Sequence, residues 1–136
     1  MMARLPVWAA ALWWGSLSTI GFLVVPLLFS YLPSPALAGN MAARLFAAQT
    51  WVSVVCGLIL LLSSRSNKPS APVANAQAAI MFIVLGMLLA LLSEFAVAPR
   101  IVARENLALW HRVGSAMYLA QWLCAGLIFW KLTRRS

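Results

Sequence analysis

The sequence predicts an all-α, polytopic membrane protein: a four-transmembrane-helix bundle built from two similar helical hairpins. Three observations predict it. Four apolar stretches, at positions 7–30, 41–63, 76–98 and 108–132, fill the chain of 136 residues. Each has about the 20 residues that a helix needs to cross a hydrocarbon core of ~30 Å. Hydrophobic residues make up 64% of the chain and charged ones 9%, against about 25% charged in a soluble domain. Finally, short motifs of the first half return in the second.

The stretches are continuous apolar runs, unlike the alternating strands of roughly ten residues that build a membrane barrel. In lipid every backbone group needs an internal partner, which leaves helices as the solution here. The first stretch follows Arg4 and carries Trp8 at its start and Pro26 towards its end. Arg4 and Ala36-Leu37-Ala38 have the look of a signal-peptide n-region and cleavage site. The apolar run is much longer than the ~7–15 residues of an h-region, so an uncleaved first helix is expected. A short Pro-broken linker, Tyr31-Leu32-Pro33-Ser34-Pro35, leads to the second stretch. The next linker, Ser63 to Pro72, is rich in Ser, Asn and Pro and reads as a flexible loop. The third stretch holds Glu94 and exits at Pro99, followed by Arg100, Arg104 and Glu105. The fourth opens with Trp110, His111 and Arg112 and closes with Trp130 and Lys131. Trp8, Trp110 and Trp130 lie near helix ends, where indole rings favour the membrane interface.

The internal likeness is specific in its spacing. Phe22-Leu23-Val24-Val25-Pro26 returns as Phe95-Ala96-Val97-Ala98-Pro99, 73 positions later. Phe46-Ala47-Ala48-Gln49 returns as Tyr118-Leu119-Ala120-Gln121, 72 positions later. Each half is then an outward helix, a Pro-marked exit, a turn and an inward helix. Halves of two helices are parallel, related by a pseudo-twofold axis along the membrane normal, as in some transporters. Pro26 and Pro99 are read as helix kinks or helix ends.

The net charge of +8 does not point to nucleic acid, because the ten Lys and Arg residues are dispersed over loops and helix ends. Flanking cations are expected of membrane helices. Four helices place both termini and the second linker on one side, with Arg4, Arg65, Lys68, Lys131, Arg134 and Arg135 and no acid. Arg44, Arg100, Arg104 and Arg112 lie on the other, with Glu94 and Glu105. The positive-inside rule puts both termini in the cytoplasm of a bacterial inner membrane.

Few residues can carry chemistry. Glu94 is the single acid inside an apolar run, near the outer end of the third helix. A carboxylate at membrane depth is costly and calls for a partner, and Arg44, Arg104 and His111 are predicted at a similar level. An ion pair tying helix ends, a proton- or cation-responsive site and headgroup exposure all fit. His111 is the one His, too few within one chain for a bis-His haem or a typical zinc site. A structural His, a pH-responsive group and a metal ligand completed by another subunit stay open. His111 and Arg112 oppose the dipole at the start of the fourth helix. Arg112 with Arg44, Arg100 and Arg104 makes a basic outer rim that suits lipid headgroups or an anion.

Gln49 and Gln121 are read as polar contacts between helices, against pore lining. Gly15, Ser18, Gly21, Ala43, Ala47, Ala116 and Ala120 offer small surfaces for close helix approach. Cys56 and Cys124 sit deep in apolar runs and read as small packing residues. No nucleotide-binding loop, nucleophile triad or carboxylate pair stands out, so no enzyme activity and no cofactor is expected.

Gly21-Phe22-Leu23-Val24-Val25-Pro26-Leu27-Leu28-Phe29 resembles the G-F-x-x-x-P-x-x-F stretch of the transmembrane protein 205-like domain family. Gly39 with Leu45-Phe46, Pro99-Arg100-Ile101, and His111 with Ser115 resemble its later elements, in order. The resemblance implies four membrane helices and supplies no reaction and no catalytic residue. A more distant similarity to copper-resistance membrane proteins lacks the His and Met ligands that would carry it. The expected function is therefore a non-enzymatic membrane component. Its partners would be the lipid bilayer and either copies of itself or a larger membrane protein. A small transporter or channel for an ion, metal or small solute, with a polar site near the outer rim, is the alternative.

Overall fold

The computed structural model describes residues 4–66 and 73–134. Lys68 and Arg135, which enter the charge count, and positions 67–72 of the polar linker lie outside the described residues. Six α-helices and two π-helical turns follow one another: α1 (Leu5–Thr19), a π-turn (Ile20–Val24), α2 (Val25–Tyr31), α3 (Pro35–Ser66), α4 (Val73–Leu92), a second π-turn (Ser93–Val97), α5 (Ala98–Val102) and α6 (Leu107–Arg134). Joined through the π-turns, they make four helices long and apolar enough to cross a membrane: Leu5–Tyr31, Pro35–Arg65, Gln77–Val102 and Leu107–Arg134. The chain is an all-helical multi-pass membrane protein. Spans adjacent in sequence pack on each other, and the last closes onto the first, so the bundle is a square with α1, α3, α4 and α6 at its corners.

Charges measure the membrane depth along the helices. Arg44 and Arg65 of α3 are 21 positions apart, about 31 Å at ~1.5 Å per residue. Arg112 and Lys131 of α6 are 19 apart, about 28 Å. Both pairs bracket a core of ~30 Å. Between them the bundle is apolar outside and partly polar inside. Phe22, Leu27, Leu58, Leu62, Met81 and Leu123 face outward, whereas Gln49, Thr50, Ser53 and Gln121 are buried. A water-soluble bundle has the opposite arrangement.

Both prolines lie inside helices. A proline within a helix has no N–H for the carbonyl four residues back, and its ring clashes with that carbonyl. Here the turn before each proline is widened. The Val25 N–H bonds to the Ile20 carbonyl, and the Ala98 N–H to the Ser93 carbonyl, each five residues back. Such single π-turns inside α-helices are frequent at functional sites. The helix then continues, to Tyr31 after Pro26 and to Val102 after Pro99. Of the two roles expected for these prolines, helix end is therefore corrected to interruption within a span. The two π-turns begin 73 positions apart, at Ile20 and Ser93.

The second helix starts at Pro35, earlier than the apolar pattern indicates. Ser34 explains this: its Oγ accepts the Leu37 N–H at 3.2 Å, and its carbonyl accepts the Ala38 N–H at 3.1 Å. That is a helix N-cap, and Pro35 in the first helical position has no N–H to leave unpaired.

Large rings seated against glycines fill the bundle interior. Trp13 is fully buried, and a Cβ on Gly86 would lie 2.7 Å from its Cη2. Gly21 faces the Tyr118 ring in the same way, and Tyr118 donates its hydroxyl to the Leu17 carbonyl at 2.6 Å. The small-residue stripe read from the sequence is only partly used. A Cβ on Gly15 would meet nothing within 4 Å, and Ala116 is exposed.

Candidate functional site

Two polar features lie within the membrane-spanning part of the bundle: a hydrogen-bonded network across α1, α3 and α6, and the second π-turn. The network begins with spacing. Trp13 and Ser16 are three apart on α1, and Gln49 and Ser53 four apart on α3, so each pair shares a helix face. Gln121 of α6 completes it. Gln121 Oε1 accepts from Ser53 Oγ at 2.7 Å and from Trp13 Nε1 at 3.3 Å. Gln49 Nε2 donates to Ser16 Oγ at 2.9 Å and lies 3.5 Å from Ser53 Oγ. Ser16 Oγ donates to the Trp13 carbonyl at 3.0 Å.

Donor and acceptor roles fix both amide orientations. Indole N–H is a donor only, so the Gln121 atom beside Trp13 is its oxygen. The hydroxyl protons of Ser16 and Ser53 are committed to the Trp13 carbonyl and to Gln121, so Gln49 presents its NH₂ to them. Gln49 Oε1 is then left buried with no partner, as is Ser93 Oγ of the second π-turn. Gln49 is 3% exposed, so water does not reach its oxygen from the surface, and an unmet buried acceptor is costly.

Glu94 follows Ser93 in that π-turn and is half-buried. It lies six positions before Arg100, about 9 Å inward along the helix. Gln49 lies five positions beyond Arg44 on the neighbouring span, about 7–8 Å inward. α3, which carries Gln49, packs against the second π-turn.

The basic rim does not close on Glu94. Among the described residues Glu94 has no ion pair or hydrogen bond. Arg44, Arg100, Arg104, His111 and Arg112 are all exposed. Arg100 Nη1 pairs instead with Glu105 Oε2 at 3.8 Å within the same loop, and its guanidinium lies 4.8 Å from the Trp110 ring centroid. Six positions separate Arg100 from Glu94, too far along the helix for the i,i+4 pairing that would join them. Cys56 and Cys124 are buried and free.

Gln49 and Gln121, singled out in the sequence as interhelix contacts, thus join different spans through Ser16, Ser53 and Trp13. Sequence reading passes over those three and Ser93. The i,i+3 and i,i+4 spacing of polar groups within apolar helices was the signal available for the first three. Nothing in the local sequence marks Ser93, because its isolation follows from the widened turn.

A family model described as Domain of unknown function (DUF4149) matches residues 8–109, three-quarters of the chain. The chain belongs to the DUF4149 family. The matched DUF4149 region holds both π-turns, Glu94 and Gln49, and ends before His111, Ser115 and Gln121. Neither the curated proteins nor the solved structures include a match to the chain.

Proposed function

We propose that this chain is a non-enzymatic multi-pass component of a bacterial inner membrane. It acts through contacts with other membrane-embedded chains, as a homo-oligomer or as the accessory subunit of a larger assembly. The observation that carries this reading is the division between inside and outside. Apart from Gln49 Oε1 and Ser93 Oγ, the described interior groups are engaged with one another, through the Trp13–Ser53–Gln121 junction and the rings seated on Gly21 and Gly86. The outward faces remain long and apolar on every span. Among the described residues Glu94 forms no ion pair with the rim cations. The reading includes the transmembrane protein 205-like resemblance, both termini in the cytoplasm, and an origin in two similar hairpins. Paired π-turns and prolines at one offset support the last of these. Native mass spectrometry of the full chain in nanodiscs tests the proposal. Complexes of two or more subunits, or a stoichiometric co-purifying membrane protein, are expected. A strictly monomeric species without a partner refutes it.

A second reading, a small transporter or channel, has one observation in its favour. Among the described residues Glu94 is a carboxylate without an ion pair inside a membrane span, in a π-turn beside an unpartnered Ser93 Oγ. An intramembrane acid of this kind marks ion and proton pathways. Proteoliposome flux of protons, metal ions and small solutes would then fall on Glu94→Gln. Absence of flux, or flux insensitive to that change, removes this reading.

A further inference from the structure

An open apolar groove of ≈ 380 Å³ runs along the outer face of α6 beside α1, lined by Trp14, Trp122, Gly126, Phe129, Trp130 and Thr133. Its walls are held in place. The Trp14 ring lies 6.0 Å from Trp122 and 5.9 Å from Phe129, centroid to centroid. Trp122 Nε1 donates to Ser18 Oγ at 2.8 Å, which anchors the indole to α1. Gly126 lets the Trp14 indole seat directly against α6, since a Cβ there would lie 2.8 Å from Trp14 Nε1. The groove's volume falls in the size range of small-ligand sites.

The groove has the reach of one leaflet. Its lining on α6 extends eleven positions, from Trp122 to Thr133, about 16 Å. Half of a ~30 Å core is about 15 Å. Trp122 lies midway between Arg112 and Lys131, so the groove starts near the midplane and opens at headgroup level. Arg134 stands at that opening. It is exposed, and its guanidinium lies 5.0 Å from the ring centroid of Trp130, itself part of the wall. Both acidic side chains, Glu94 and Glu105, belong to the other end of the bundle, so among the described residues no acidic side chain competes for it. Arginine suits a phosphate partner because its planar fork donates two parallel hydrogen bonds.

We propose that this groove binds an anionic phospholipid, with one acyl chain along Trp14, Trp122 and Phe129 and the phosphate on Arg134. The assignment rests on the membrane-spanning arrangement alone and is compatible with a monomer or with an oligomer formed through another face. Native mass spectrometry of the full chain, given equal amounts of phosphatidylglycerol and phosphatidylcholine in mild detergent, reads lipid adducts separately from subunit number. Wild-type protein retains phosphatidylglycerol several-fold over phosphatidylcholine, and Arg134→Gln lowers that ratio several-fold. Arg65→Gln, at the same end but on α3, leaves the ratio unchanged. Equal retention of the two lipids by the wild type overturns the proposal without recourse to a variant. So does an equal loss for Arg65→Gln, which would mean a diffuse surface charge. Leu127 also lines the groove; a disulfide-linked dimer of Leu127→Cys that forms undiminished with phosphatidylglycerol in excess would mean that a second copy fills the groove, and also overturns the proposal.

Discussion

Arg104 shows how a residue's backbone can matter more than its charge. Its φ is 57°, the left-handed region that costs a residue with a Cβ roughly 1–2 kcal/mol. The Arg104 N–H bonds to the Ile101 carbonyl at 3.1 Å, and the Glu105 N–H to the Arg100 carbonyl at 3.2 Å. These are the two bonds of a Schellman helix end, with Arg104 at the position where glycine is usual. The sequence presents Arg104 as a rim cation near Glu94, whereas its structural role is to end α5. Arg104→Gly is expected to raise stability by up to about 1 kcal/mol, the αL relief less glycine's entropy. Arg104→Val, a β-branched residue at positive φ, is expected to lower it by about 1 kcal/mol or more. Unfolding of the purified protein in mixed micelles against increasing SDS compares the two. Equal effects of both would show that the turn carries no strain.

At the scale of elements, the network across α1, α3 and α6 is unequal in its parts. Gln121 Oε1 serves two buried donors, whereas Gln49 leaves its own oxygen unmet. Gln121→Leu strands the Trp13 indole N–H and the Ser53 hydroxyl and is expected to cost about 1–3 kcal/mol. Gln49→Leu leaves Ser16 and Ser53 donating as before and removes an orphan acceptor, so its cost stays under about 1 kcal/mol. Steric-trap unfolding in bicelles measures both, and a greater loss for Gln49→Leu would contradict this hydrogen-bond scheme. Much of this was open to sequence reading, since glutamines inside apolar helices need partners. Which partners they find depends on the rotation of each helix about its axis. Apolar residues surround every span, so no amphipathic stripe declares that rotation. The π-turns were hidden for a related reason: a proline announces a disturbed helix, but whether the chain ends, kinks or widens there depends on packing beyond it.

At the scale of the whole molecule, the bundle is a square of antiparallel spans whose charged ends lie about one membrane thickness apart. The proposed orientation makes a direct prediction. Cys56 and Cys124 are buried, so single cysteines can be introduced after their replacement by alanine. In intact spheroplasts a membrane-impermeant maleimide is expected to label Arg104→Cys, and to label Arg134→Cys only after lysis. The reverse pattern would invert the proposed topology. The groove beside Trp14 and Arg134 belongs to this scale as well, because it exists only where two spans meet.

By itself the sequence determined the class, the number of spans and the approximate membrane levels of their charges. Those follow from length, hydropathy and the cost of charge in hydrocarbon, all of which are local and additive along the chain. Tertiary structure decided the rest: that Gln121 meets Trp13 and Ser53, that Glu94 stands apart from the arginines expected to pair with it, and that Pro26 and Pro99 interrupt their helices without ending them. The physical reason is that lipid rewards an apolar face on any side of a helix. Rotation and pairing are therefore left to close packing at glycines and to a few directional hydrogen bonds, which depend on three-dimensional neighbours.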